Sequence, residues 1–212
     1  MDANIISYLF SVGAYLYFFC GFCSYHVWFA APELVHSLPP SIVEGINFFA
    51  PSDFYGKAAA DTSSAILTDI ALMLLFIVPH TIFANNMLRT KDILPTCLER
   101  PFFVLQAQLM LHIQMMYWKP FGVTLYDVRG TPLGTTLSAL STVGFAFILT
   151  SSFALDHFHL FGISQGFGVD VNKMVGLTPS DTSEGGLSTR WHYSIVAHPI
   201  MAGILFRKLL PG

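Results

Sequence analysis

Charge is what this sequence has least of. Asp, Glu, Lys and Arg make up 11% of its 212 residues, against about 25% in a soluble globular domain. A soluble surface must be solvated, so a water-borne chain of this composition would leave much apolar side chain facing solvent. There is no basic excess either: ten Lys and Arg stand against thirteen Asp and Glu, for a formal net charge of −3. That excludes the electrostatic footprint of a nucleic-acid binder. Cysteine is scarce and odd in number, at three, which argues against a closed disulfide framework. Cys20 and Cys23 have a C-x2-C spacing but lie in an apolar run. Zinc there would lack two further ligands at the same depth, and a redox pair would lack water. Small buried membrane cysteines are expected instead. Fixed-period repeats and low-complexity tracts are missing. Gly162, Gly166 and Gly168 make no phosphate-binding fingerprint, because the spacing is wrong and no strand precedes them. The length suggests one domain.

What is present is apolar and aromatic. Hydrophobic residues make up 53%, with 20 Phe, 8 Tyr and 3 Trp, and the mean hydropathy is +0.58. Ala3 to Pro32 is 30 residues without a formal charge, Pro101 to Trp118 is 18, and Gly130 to Leu155 is 26. Between Thr62 and Asn86 the one formal charge is Asp69. A helix rises about 1.5 Å per residue, so about 20 residues cross a hydrocarbon core roughly 30 Å thick. A fifth run, Trp191 to Phe206, is short and interrupted by Pro199. The sequence therefore predicts an all-α fold, a multi-pass transmembrane helical bundle of about five spans. These fall near 5–30, 62–84, 101–118, 133–155 and 192–206 of a single membrane domain over 1–212.

The first run lacks the basic flank of a signal peptide, carrying Asp2 instead, and is too long for a signal core, so it is expected to remain as a helix. Orientation is not encoded: with five spans, Lys and Arg divide five to five between the two sides. Glu33 to Asp61 reads as an acidic Pro- and Gly-containing loop with a semi-apolar centre at Phe48 and Phe49. Asp156 to Arg190 reads as a glycine-rich polar loop that wanders in solvent or wraps a ligand.

Polar residues inside the spans carry the functional signal, because an ionisable group in hydrocarbon costs about 2.5–3.5 kcal/mol. Asp69, Met73, Phe76 and His80 form one stripe, since eleven residues turn a helix to within about 20° of the same face. Gln108 and His112 are at i, i+4 and share a face. Either set could hold helices together through hydrogen bonds or line a site. His157 and His159, two residues apart, would point about 200° apart and cannot grip one metal together. His198 precedes Pro199, which suits the first turn of a helix, so His198 would stand at a helix entrance as a cap or beside an anion.

Five stretches together resemble a known family. They are Phe76 to Thr81, which ends in Pro-His-Thr; Leu98 to Leu105, which opens with Leu-Glu-Arg; and Tyr117 to Pro120, which contains a Trp-x-Pro. The fourth is Ser151 to Gln165, with Asp156 and His157, and the fifth is Val196 to Gly203, with His198-Pro199. In this order they resemble the membrane methyltransferase group that includes methanethiol S-methyltransferase and the nuclear-envelope protein nurim. Isoprenylcysteine carboxyl methyltransferase is more distant. The resemblance covers about two-thirds of the chain.

The resemblance implies a bundle that binds S-adenosylmethionine from the aqueous side and transfers its methyl group to sulfur on a small or lipophilic thiol. It implies His80, Asp156 and His157 near the active-site mouth as catalytic candidates. His198, Pro199 and Gln165 are implied for the cofactor, and no metal. The partners implied are the lipid bilayer and the thiol, with no nucleic acid. The setting would be nuclear envelope or endoplasmic reticulum in a eukaryote, or the inner membrane in a bacterium. Ala197 stands where the family has Arg before His-Pro. The chain is also C-terminally short relative to the family, whose members continue through a further helix pair with acidic residues for the cofactor. Activity is thus expected to require a partner or a further segment. Two other readings remain open at this point: a nurim-like, non-catalytic endomembrane protein, and a haem carrier using two of His26, His80, His112 and His157.

Overall fold

The computed structural model describes residues 5–30, 35, 38–50, 61–84, 93–119, 127–128 and 130–177, with the side chains of 28–30, 84, 154 and 155 left aside. The described residues are helical and contain no strand. Four long helices are present: α1 (Ile5–Ala30), α3 (Thr62–Ala84), α4 (Thr96–Tyr117) and α5 (Pro132–Leu155). Four shorter ones are α2 (Pro40–Phe49), α6 (His157–Leu160), α7 (Ile163–Phe167) and α8 (Val171–Met174).

Charge-free runs dictate the long helices, because a peptide in hydrocarbon must satisfy its own backbone groups and a helix does so within one segment. Their starts follow ordinary capping chemistry. The Thr131 hydroxyl accepts from the Gly134 N–H at 3.2 Å, and Pro132 occupies the first turn of α5, where its missing N–H costs nothing. Three helices, over Ile5–Val27, Thr62–Phe83 and Pro132–Phe153, are long and apolar enough to cross a bilayer. On α3 the outward residues Leu67, Ile70, Leu74 and Ile77 are exposed, as lipid contact requires. The chain is therefore a membrane protein. The stretch expected over 101–118 is helical to Tyr117 but more polar than these three, and 192–206 lies outside the described residues.

The more polar helix is also the more enclosed one. α4 packs chiefly against α1 on one side and α3 on another, and it also meets α7 and α2. Its buried residues include Gln106 and Gln108 besides Pro101 and Val104. Gln108 donates from Nε2 to the Tyr25 hydroxyl at 3.1 Å. A Cβ at Gly21 would stand 2.0 Å from that nitrogen, so glycine is what lets α1 and α4 approach here. His112 bonds Tyr17 Oη through Nδ1 at 2.5 Å and the Phe48 carbonyl through Nε2 at 2.7 Å. The apolar core beside them is made by Tyr25, Val35, Ile46, Phe49 and Ala50, with Leu111 and Met115 of α4 packed against it.

Two connections differ from their sequence reading. The acidic loop contains α2, which buries Ile46 and Phe49 where only a semi-apolar centre was expected. The polar loop expected over 156–190 is, over 156–177, a run of three short helices packed on α1, α4 and one another. The cysteines are free thiols; Cys20, expected to be buried, lies exposed on α1, with Cys23 and Cys97 half-buried.

Candidate functional site

At one end of the bundle the N-terminal half of α1, the C-terminal ends of α3 and α5 and the start of α4 meet under α6–α8. Asp156 breaks the helix between α5 and α6. Its side chain caps α6 by accepting from the His159 N–H at 3.2 Å, and it also accepts from Asn172 Nδ2. The cap turns the next residue, His157, inward.

His157 is 1% exposed. Its Nε2 lies 2.8 Å from Tyr15 Oη and its Nδ1 2.8 Å from Ser152 Oγ. The ring stacks on Phe153 with centroids 3.8 Å apart and meets Phe161 edge-on. Burial lowers its pKa from the usual 6.5 to about 4, so the imidazole is neutral at physiological pH. A neutral imidazole has one donor and one acceptor nitrogen, and both are engaged here. His159, by contrast, is exposed, in agreement with the divergence expected from the two-residue spacing.

α7 is seated by close backbone approach. Gly162 has φ +85°, and a Cβ there would stand 2.6 Å from the Pro101 nitrogen on α4. Ser7 Oγ donates to the Gly166 carbonyl at 2.9 Å, tying α7 to α1. Between these points lies Gln165, half-buried, whose Oε1 is enclosed with no hydrogen-bond partner among the described residues.

His80 reaches the same end from α3. Its ring lies between Phe76 (5.1 Å, 19°) and Phe103 of α4 (5.0 Å). The Arg100 guanidinium sits 5.1 Å from the centroid of the Phe103 ring and donates from Nε to the Leu160 carbonyl of α6 at 2.7 Å. His80, Phe103, Arg100 and α6 are thus successive neighbours, and Asp156, His157 and Gln165 stand on the far side of that row. His80 Nδ1 is enclosed without a hydrogen-bond partner among the described residues. Pro79, inside α3, has no N–H, so the Leu75 carbonyl loses its usual helical donor one turn away.

Asp69 belongs to the opposite end. It is 4% exposed, and its Oδ1 accepts from the Lys119 N–H at 2.9 Å. It shares a stripe with His80 but not a site. His198 and Pro199 lie outside the described residues. Sequence reasoning passed over Gln106, which is 8% exposed and whose carboxamide oxygen and nitrogen both lack a partner among the described residues. The pairing of Gln108 with His112 drew attention to the opposite face of α4.

No group of His, Cys, Asp and Glu among the described residues has the arrangement of a metal site. Of the four histidines in the haem reading, His112 and His157 have both ring nitrogens in hydrogen bonds, leaving no lone pair for iron.

Known proteins with similar sequence point one way. Methanethiol S-methyltransferase 1 of Bradyrhizobium diazoefficiens is 28% identical over 204 residues, covering 95% of this chain and 64% of its own length. The methanethiol S-methyltransferase of Pseudomonas deceptionensis is 27% identical over 161 residues, 75% of this chain and 59% of its own length. That of Mycobacterium tuberculosis is 29% identical over 149 residues, 69% and 58%. The chain resembles the methanethiol S-methyltransferases over most of its length. It spans about three-fifths of these relatives. No family model and no solved structure matches it. The shared name favours a thiol S-methyltransferase-like membrane protein over the non-catalytic, nurim-like reading.

Proposed function

We propose that the chain serves S-adenosylmethionine-dependent methylation of a small thiol, methanethiol or a close relative of it, within a multi-pass membrane bundle. The observation that carries this reading is the alignment of 95% of the chain with a methanethiol S-methyltransferase. In this reading 101–118 and 192–206 complete five spans, and the end of the bundle under α6–α8 faces water and admits the cofactor.

The residues present fit such a donor. Gln165 Oε1 is an enclosed acceptor with no partner among the described residues, suited to an ammonium or an exocyclic amine. By resemblance His198 and Pro199 belong to the same pocket. Once bound, the cofactor supplies an electrophilic methyl group on a sulfonium.

The remaining work falls to the chain. A thiol attacks as its thiolate, so a base must take the proton, and His80 Nδ1 is an enclosed imidazole nitrogen at this end with no hydrogen-bond partner among the described residues. His80 would hold that proton and return it to water after the sulfur has attacked. Phe76 and Phe103 fix the ring plane and exclude solvent. Asp156 and His157 act by position: one caps α6, the other locks α1, α5 and α6 together.

Calorimetry of the protein in lipid nanodiscs with S-adenosylmethionine, followed by headspace detection of dimethyl sulfide from methanethiol, tests the reading. Binding heat and product formation are expected, with His80→Phe lowering kcat by about 10²–10⁴. No heat and no product would overturn it.

A further inference from the structure

Gln106 differs from the two other polar residues of α4 that face its neighbours. Gln108 and His112 each reach a neighbour, whereas neither polar atom of the Gln106 carboxamide has a partner among the described residues. Its direction follows from its helix. Phe102 meets Phe83 of α3 at 5.6 Å and Phe103 meets His80 at 5.0 Å. Gln106 follows these by four and three residues, so it faces α3 one turn deeper. Gln108 is turned about 200° away, toward Tyr25 of α1. On the same face of the α3–α4 contact, one turn away beside Phe103, stands His80, whose Nδ1 is likewise enclosed without a partner among the described residues.

A primary amide held in an apolar setting without partners is a standing cost to the fold. Natural chains retain such costs where a ligand supplies the missing bonds. The walls say which ligand. Phe76 and Phe103, which flank the His80 ring, make the surroundings aromatic, and aromatic rings favour a polarizable sulfur over an oxygen. The amide offers one acceptor and two donors, so Oε1 can take a weak S–H and Nε2 can give to the sulfur. The Arg100 guanidinium, 5.1 Å from the Phe103 centroid, is turned to the Leu160 carbonyl of α6, and the amide itself carries no charge, so a neutral ligand fits.

We infer that Gln106, one turn from His80 along the α3–α4 contact, is the positioning residue that holds the sulfur of a small uncharged alkanethiol. The inference rests on the methyltransferase reading for its biological sense, but the binding it describes does not need the cofactor. Gln106 fixes the sulfur beside the His80 nitrogen, and the aromatic pair limits the size of the alkyl group.

The test uses ethanethiol and ethanol as probes of the full chain in lipid nanodiscs, with Gln106→Leu and the unbranched Gln106→Met as variants. The wild-type unfolding midpoint should rise with ethanethiol and not with ethanol. Both variants should unfold at or above the wild-type midpoint without ligand, since they remove an unpartnered amide, and should lose the ethanethiol response. In turnover, KM for the thiol should rise at least tenfold with kcat within threefold. A ligand-free midpoint lowered by several degrees in both variants would make Gln106 an ordinary helix fastener and overturn the inference, as would an unchanged thiol KM. Methyl transfer by the wild type with unchanged KM in the variants would sink the inference alone. No transfer by the wild type would sink the methyltransferase reading, while the ethanethiol shift would still decide the role of Gln106.

Discussion

Tyr15 Oη and His157 Nε2 lie 2.8 Å apart although 142 residues separate them in the chain. That bond, with the one from His157 Nδ1 to Ser152, joins α1 to the corner where α5 gives way to α6. Tyr15→Phe leaves a buried imidazole nitrogen unpaired and should lower stability by about 1–2 kcal/mol. His157→Ala removes both bonds and the ring stacked on Phe153, and should cost more. Chemical unfolding in mild detergent measures both.

The same imidazole sets a pH dependence. Its folded pKa of about 4 lies below the 6.5 of the free side chain, so between these values the unfolded chain binds the additional proton. The stabilisation is complete above pH 6.5 and is lost as pH falls toward 4. The unfolding midpoint should therefore drop across that window in the wild type. In a His157→Phe variant this part of the slope should vanish, and a slope of equal size would show that other groups carry it.

Gly162→Ala should be among the more damaging single changes. The left-handed φ of +85° strains any L side chain, and the new Cβ would meet the Pro101 backbone nitrogen at 2.6 Å. A loss of about 1–3 kcal/mol is expected, read as a lowered midpoint together with earlier proteolysis within α6–α8.

Asp69 separates charge from hydrogen bonding. Asp69→Asn keeps an acceptor for the Lys119 N–H and removes a carboxylate from the apolar layer, so stability should hold or rise. Asp69→Leu leaves that N–H without its acceptor and should cost about 1–3 kcal/mol. Equal stability of the two variants would show that the bond is idle.

Gln165 tests the cofactor pocket. Gln165→Leu should raise the Kd for S-adenosylmethionine about tenfold, the equivalent of one hydrogen bond near 1.4 kcal/mol, without lowering the midpoint of the ligand-free protein. An unchanged Kd in calorimetry would remove Gln165 from the site.

The long helices were legible because absence of charge is a local property: α1, α3 and α5 can be read from runs of sequence alone. The stripe through Asp69 and His80 was legible as a face, but helical periodicity carries no depth, and the two residues serve opposite ends of α3. α2 escaped notice because ten residues with Ile46 and Phe49 on one face are too short to stand out in a Pro-containing loop. The helices after Asp156 escaped because glycine reads as a loop signal, whereas Gly162 here permits contact with Pro101. Gln106 was missed for a further reason. A polar residue without a polar neighbour at helical spacing looks like an isolated substitution until its partners across the helix contact are known.

The polar character of α4 also constrains biogenesis. A segment carrying Gln106, Gln108, His112 and Gln114 gains little by entering lipid alone, yet α1 and α3 enclose it in the finished protein. Both precede it in synthesis, so in the five-span reading proposed above α4 would settle against helices already resident in the bilayer instead of partitioning alone. Weakening the α1–α4 seam at Gly21 or Tyr25 would then surface as a defect of insertion, seen as α4 left accessible to membrane-impermeant reagents, before any defect of chemistry could be measured.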